Sequence, residues 1–238
     1  MQPPSLSFST PHPSCRIVTS RQTGPHQDLA RRVARALATP LQKPVAEHTR
    51  TAFARADAWR AEQQKPLILD AGCGVGLSTR RLAAAFPDCA VIGVDRSANR
   101  LRRDHGPLAD NALLVRADLV DFWRLAWQAG WAPVRHYLLY PNPYPKASQL
   151  KMRWHGHPVL PWILGLGGHL ELRSNWRLYV EEFALAVAQA TGRRAALAAY
   201  TPAGANDYLT PFEAKYAEGG QPLWQLTVEL ERQWHLFT

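Results

Sequence analysis

Residues 70–76 read Asp-Ala-Gly-Cys-Gly-Val-Gly: one carboxylate, then a glycine at every second position. They follow the short apolar run 66–69. Glycines in such a turn let backbone approach a bound group closely. Two further acids stand in matching places. Asp95 closes the apolar run 90–94, and Asp118 closes the run 112–118. If each run is a strand of one parallel sheet, Asp70, Asp95 and Asp118 share its carboxyl edge, where open α/β sheets bind ligands. A helix N-cap explains one acid at such a place, but three less easily. The spacing does not suit phosphates. Gly72, Gly74 and Gly76 leave Leu77 where a dinucleotide fingerprint needs its third glycine, and the lysine of a phosphate loop is absent.

The second chemical cluster is residues 140–146, Tyr-Pro-Asn-Pro-Tyr-Pro-Lys, directly after the strand-like run 134–139. Proline lacks an N–H and fixes φ, so it ends a strand and stiffens the chain beyond it. The stretch reads as a rigid elbow that presents Asn142, Tyr144 and Lys146.

The elements that must position these groups alternate between strand and helix from Lys65 onward. Strands are expected at 66–70, 90–95, 112–118, 134–139 and 167–175, with helices at 78–86, 97–105, 119–131 and 176–191. Ser97 is a candidate N-cap. This alternation predicts a parallel sheet with right-handed crossovers and helices on both faces. Two last strands, 193–200 and 223–232, come without an intervening helix and predict an antiparallel hairpin at one edge, around a long loop. In helix 176–191, Leu178, Phe183, Leu185 and Val187 are expected inside, with Glu181 and Glu182 outside.

Before Lys65, residues 1 to about 25 are Pro/Ser-rich and expected to be mobile. Two helices follow: one with Leu29, Val33 and Leu37 on its apolar face and Arg31, Arg32 and Arg35 opposite, and one with Pro44 in its first turn. The division is therefore a flexible N-terminus with a basic helical extension, 1–64, and a main domain, 65–238. Lys plus Arg outnumber Asp plus Glu by 28 to 19, which favours a polyanionic partner, nucleic acid before anionic membrane. Cys15, Cys73 and Cys89 form no disulfide framework and fit a reducing compartment. No apolar run is long enough to span a bilayer, and the N-terminus lacks the pattern of a secretory signal. His155 and His157 have no third ligand nearby, so they read as surface or RNA-facing histidines, not as a metal site.

Asp-x-Gly-x-Gly-x-Gly with an acid ending the second strand resembles the class I S-adenosylmethionine-dependent methyltransferases. The resemblance implies a Rossmann-like, mostly parallel seven-stranded sheet. It places Asp95 at the ribose hydroxyls, Asp118 near the adenine, and Asp70 with Gly72, Gly74 and Gly76 along the methionine portion. Within that class, residues 140–146 are similar to the P-D-P-W-x-K elbow of the bacterial tRNA (guanine-N7-)-methyltransferases. Residues 167–183 resemble that family's GG-x-x-x-x-x-T-D-W-x-x-Y segment. Residues 209–232 resemble its T-K-F-E…G…W-D-L-x-F-E-R ending, and 18–27 loosely resemble its Arg/Gln-rich N-terminal segment. The likeness spans most of residues 67–238.

The resemblance implies a cytoplasmic tRNA-modifying enzyme that uses S-adenosylmethionine and tRNA and needs neither metal nor membrane, as monomer or homodimer. It puts Asn142 on the family's catalytic aspartate, beside the cofactor, and Lys146 on a substrate-contacting lysine; a clamp of Lys146 and Arg153 would suit an RNA phosphate. Tyr144 either stacks on the base or packs the elbow. Asn175 falls on the aspartate of T-D-W. Thr210, Pro211, Phe212 and Glu213 fall on the substrate-meeting T-K-F-E. Asn142, Asn175 and Pro211 depart from the family pattern. Three alternatives stay open: an amino-group methyltransferase with an N-P-P-Y-like loop, a class I enzyme for another substrate, and a non-catalytic RNA-binding paralogue.

Overall fold

A computed structural model describes residues 17–204, 207–233 and 235–236. Residues 1–16 of the stretch expected to be mobile lie outside these. Strands β1 (Leu67–Ala71), β2 (Ala90–Asp95), β3 (Ala112–Arg116), β4 (Arg135–Leu139), β5 (Gly168–Ser174), β6 (Ala196–Tyr200) and β7 (Leu223–Leu230) form one sheet in the order β3-β2-β1-β4-β5-β7-β6. The first five in that order are parallel; β7 is antiparallel to both β5 and β6. Strand order reverses between β1 and β4. The glycine turn after β1 and the elbow after β4 are therefore neighbours across the switch point, although about 70 residues separate them in the chain.

Helices α1 (Leu29–Ala38), α2 (Glu47–Gln63), α3 (Leu77–Ala85), α4 (Ala98–Leu101), α5 (Leu119–Gln128), α6 (Leu160–Gly165), α7 (Arg177–Thr191) and α8 (Pro211–Glu218) surround the sheet. Successive strand residues serve opposite faces. Leu67, Leu69, Ile92 and Val94 join Phe122, Trp123 and Phe183 in the larger core, while Ile68 and Val91 join Leu82 and Ala83 in the smaller. Burial on both faces explains why β1 and β2 read as continuous apolar runs and do not alternate. α1 and α2 feed the larger core through Leu29, Val33, Phe53 and Ala56.

Several expectations need correction. The stretch between β6 and β7 contains α8, not only loop. The run 97–105 is helical only over α4, capped by Ser97 Oγ as expected. Pro44 lies before α2, which begins at Glu47. Leu185 is half exposed: the buried stripe of α7 runs through Tyr179, Glu182, Phe183 and Ala186, and Leu185 falls beside it. Glu182 is wholly buried, for a reason found at the elbow. Residues 20–26, inside the stretch expected to be mobile, hydrogen-bond to the body of the protein.

α3 packs directly onto β2 at Gly93. A Cβ there would sit 2.1 Å from Thr79 Oγ1. Gly93→Ala is therefore expected to push α3 outward and to cost about 1–3 kcal/mol, as overpacking does. A urea unfolding midpoint measures this, and an unchanged midpoint would show that the helix shifts freely.

Candidate active site

The switch point opens a cleft of about 870 Å³. Gly72, Cys73, Gly74, Asp95 and Asp118 line one side; Tyr140, Asn142 and Tyr144 line the other; Thr210, Pro211 and Phe212 form a far lip.

The glycines divide their work. Gly74 has φ +59°, and a Cβ on it would meet nothing within 4 Å, so its open face is toward the cleft. Gly76 has φ +75° and caps α3, and a Cβ there would strike Leu114 at 2.8 Å. It serves packing and does not line the cleft.

The three acids divide theirs as well. Asp70 is buried, and Ser78 Oγ and Thr79 Oγ1 both donate to its Oδ2 at 2.6 and 2.7 Å. Burial, partly offset by those two hydroxyls, raises its pKa to about 6. Asp70 thus ties the first turn of α3 to β1 and stays behind the cleft wall. Asp95 faces the cleft: Oδ1 accepts from Ser97 N–H at 2.7 Å, and Oδ2 accepts from Gly74 N–H at 3.1 Å. Asp118 lines the cleft and caps α5 through Oδ1, which accepts from Val120 N–H at 2.9 Å. His157 also lines it. Its Nδ1 accepts from Val159 N–H at 3.1 Å, so the ring proton sits on Nε2. Burial lowers its pKa to about 4, against the pull of the nearby Asp118 carboxylate.

The elbow is strained. Tyr140 and Tyr144 have φ of +51° and +46°, in the left-handed region that side chains disfavour. Such conformations cost about 1–3 kcal/mol each and persist only where the surroundings impose them. Here the surroundings are a buried knot. Arg153, which has no exposed surface, donates from Nη1 to Glu182 Oε2 at 2.6 Å and from Nε to the Tyr144 carbonyl at 3.1 Å. Its Nη2 donates to Gln22 Oε1 at 3.1 Å and to the Lys146 carbonyl at 3.4 Å. The guanidinium lies 4.8 Å from the Trp176 ring centre. Glu182 also accepts from Gln22 Nε2 and His26 N–H, and it pairs with His155 Nε2 at 2.8 Å. Burial alone would raise the Glu182 pKa, but the His155 hydrogen bond and the Arg153 charge outweigh it and hold it at about 2. Ser20 Oγ donates to the Pro145 carbonyl at 2.6 Å. The N-terminal segment and α7 therefore fix the elbow from below.

This knot corrects three expectations. Arg153 is not available to an RNA phosphate, His155 is not on the surface, and Glu182 does not face out. All three are buried because the chain after the elbow folds back over α7. Sequence reasoning missed them, yet a signal existed: Glu182 shares the helical stripe of Tyr179, Phe183 and Ala186.

The far lip gives a further correction. Glu213 is buried, not presented to a ligand: its Oε1 accepts from Arg173 Nη1 at 2.7 Å and its Oε2 from Leu209 N–H at 2.7 Å. Thr210 Oγ1 accepts from Glu213 N–H, with Pro211 in the first turn, so this segment is the N-cap of α8. It aims Phe212, about half exposed, at the cleft mouth. Asn175 bonds to Gln221 at 2.8 Å, and Lys146 is exposed; neither lines the cleft. Among the described residues, no group of three or more His, Cys, Asp or Glu side chains is placed to hold a metal.

An acid-bearing glycine turn facing a strained elbow across a switch point belongs to a recognisable lineage. A family model, Methyltransf_4, described as "Putative methyltransferase", matches residues 64–226. The chain belongs to this methyltransferase family. The methyltransferase is 24% identical over 174 residues to the tRNA (guanine-N(7)-)-methyltransferase of Neisseria gonorrhoeae, covering 70% of this chain and 73% of that one. It is 31% identical over 140 residues to the enzyme of the same name from Nocardia farcinica, covering 54% of this chain and 50% of that one. Its fold matches the solved 16S rRNA methyltransferase KamB, at 16% identity with a TM-score of 0.56, over 79% of this chain and 95% of that one. The seven-stranded class I methyltransferase architecture is thereby established.

Proposed function

We propose that this methyltransferase transfers a methyl group from S-adenosylmethionine to N7 of a guanine in tRNA. The observation that carries the proposal is the juxtaposition of Asp95 and the Gly72–Gly74 turn with the rigid Asn142 elbow in one cleft. Support comes from the tRNA (guanine-N(7)-)-methyltransferases that the chain resembles. A cytoplasmic location goes with a tRNA substrate and with free thiols at Cys73 and Cys89.

The cleft fits the cofactor by its donor set. Asp95 offers acceptors for ribose hydroxyls. Asp118 offers an acceptor and His157 a donor, the pair that the amino and ring-nitrogen edge of adenine requires. Gly72 and Gly74 leave room for the amino-acid end. When bound, S-adenosylmethionine supplies an electrophilic methyl on sulfonium. Guanine N7 carries an in-plane lone pair and no proton, so the protein needs no general base. Its task is alignment, which can supply about 7–11 kcal/mol in favourable cases. The locked elbow provides it: Asn142 sits between two left-handed tyrosines, with Tyr140 N–H bonded to the Arg173 carbonyl on one side and the Tyr144, Pro145 and Lys146 carbonyls held by Arg153 and Ser20 on the other.

Asn142 is neutral where a carboxylate would favour the cationic purine that forms. Hydrogen bonds to charged groups exceed neutral ones by about 1 kcal/mol. Asn142→Asp is therefore expected to raise guanine methylation about five- to tenfold, measured as initial rate at saturating cofactor. A lower rate would show that the amide is needed as a donor.

A further inference from the structure

The β2–β3 connection carries an excess of positive charge that methyl transfer itself does not use. Arg96, Arg100, Arg102, Arg103 and His105 are exposed on it, against Asp104 and Asp110. Asp104 is turned back onto Gly106 N–H at 2.9 Å. Arg96, Arg100 and Arg103 line the mouth of the cleft. Among the described residues, Arg96 and Arg103 have no acidic partner. A cationic mouth is of no benefit to a cationic cofactor; it suits a polyanion.

Arg100 adds a link to the floor. Its Nη1 lies 3.5 Å from Asp95 Oδ2. A carboxylate offers about four acceptor positions. Ser97 N–H, Gly74 N–H and Arg100 take three on Asp95, leaving one. Two ribose hydroxyls need two, and of the three donors only Arg100 is a half-exposed side chain that can swing away; the other two are backbone N–H groups.

We propose that Arg96, Arg100 and Arg103 form a binding surface for the phosphates of the RNA substrate, and that a phosphate draws Arg100 off Asp95 and thereby strengthens cofactor binding. This rests on the tRNA reading. Linkage is reciprocal, so cofactor must strengthen RNA binding equally.

The test uses the full chain, an unmodified tRNA transcript and S-adenosylhomocysteine, which avoids turnover. Fluorescence anisotropy across salt concentrations should show that Arg96→Gln/Arg103→Gln lowers the slope of log affinity on log salt by about 1–2. The double lysine variant should restore it. Calorimetry should show S-adenosylhomocysteine binding about fivefold or more tighter with tRNA present. Arg100→Gln should bind it tighter without tRNA and lose the enhancement. If wild-type protein binds tRNA and the double glutamine variant keeps the full slope, the surface is wrong while the tRNA reading stands. If affinity for S-adenosylhomocysteine ignores both tRNA and Arg100→Gln, the link is wrong. If wild-type protein binds phosphatidylserine vesicles and not tRNA, the surface and the tRNA reading fall together.

Discussion

Glu182→Ala is expected to destabilise the protein by about 3–5 kcal/mol, the cost of removing one partner from a buried ion pair. Arg153 would be left with its charge in the core and only carbonyl and amide acceptors. His155, Gln22 and His26 would lose their shared acceptor in the same step. The damage should spread to function in a particular way. Tyr144 and Lys146 are held through Arg153, so the elbow would relax out of its left-handed conformation. Asp95 and the glycine turn belong to other strands and should keep their geometry. Urea unfolding should therefore show the stability loss, while steady-state kinetics show a fall in kcat with cofactor affinity changed less than about threefold. Equal loss of both would mean that the knot supports the whole fold, not the elbow.

The same knot sets an acid limit. The folded pKa of Glu182, about 2, lies below its ordinary value of 4.5. Its stabilisation is present above pH 4.5 and is lost as pH falls toward 2. His155 and His136 are buried neutral with lowered pKa, the latter at about 3, so folding binds fewer protons than unfolding and stability falls below pH 6.5 for them too. Asp70, raised to about 6, acts oppositely: its contribution is present below pH 3.8 and lost as pH rises through 6. His157, lowered to about 4, acts in the same direction as the other two histidines, and four groups against one predict a net decline of stability on acidification below pH 6. Glu182→Gln should flatten the part of it below pH 4.5.

Asp95→Ala is expected to weaken S-adenosylmethionine binding about 100-fold. Each hydrogen bond from a ribose hydroxyl to a buried carboxylate contributes about 1.5–3 kcal/mol, and 1.4 kcal/mol is tenfold in affinity. Asp95→Asn keeps an acceptor and should lose about tenfold. The fold should tolerate both, because Gly74 and Ser97 lose only side-chain acceptors at the cleft surface. Calorimetry measures the affinity directly. Dissociation constants within threefold of wild type for both variants would remove Asp95 from the cofactor site.

The sheet was legible because strands buried on both faces must be largely apolar, and β1 and β2 are so up to Asp70 and Asp95. The cleft was legible for a related reason. Glycines at 72 and 74 and acids at 95 and 118 mark strand ends, and topology brings strand ends together. Asp70 and Glu213 were misjudged in role, since residue type alone does not say whether a carboxylate turns toward a ligand or toward Ser78 or Arg173. The knot was not legible from local pattern: Arg153 and Glu182 are 29 residues apart, and Gln22 lies 131 residues from Arg153. α8 did carry a local sign, Thr210-Pro211-Phe212-Glu213, a capping-box pattern with proline in the first turn. The resemblance to a substrate-meeting motif drew attention away from its ordinary structural meaning.

The most direct test of the proposed activity is incubation of the protein with an unmodified tRNA transcript and methyl-labelled S-adenosylmethionine, followed by digestion to nucleosides. Label is expected in 7-methylguanosine, reduced by Asp95→Ala and increased by Asn142→Asp. Label in an amino-methylated adenosine, or no label in tRNA while the cofactor binds normally, would contradict guanine-N7 transfer.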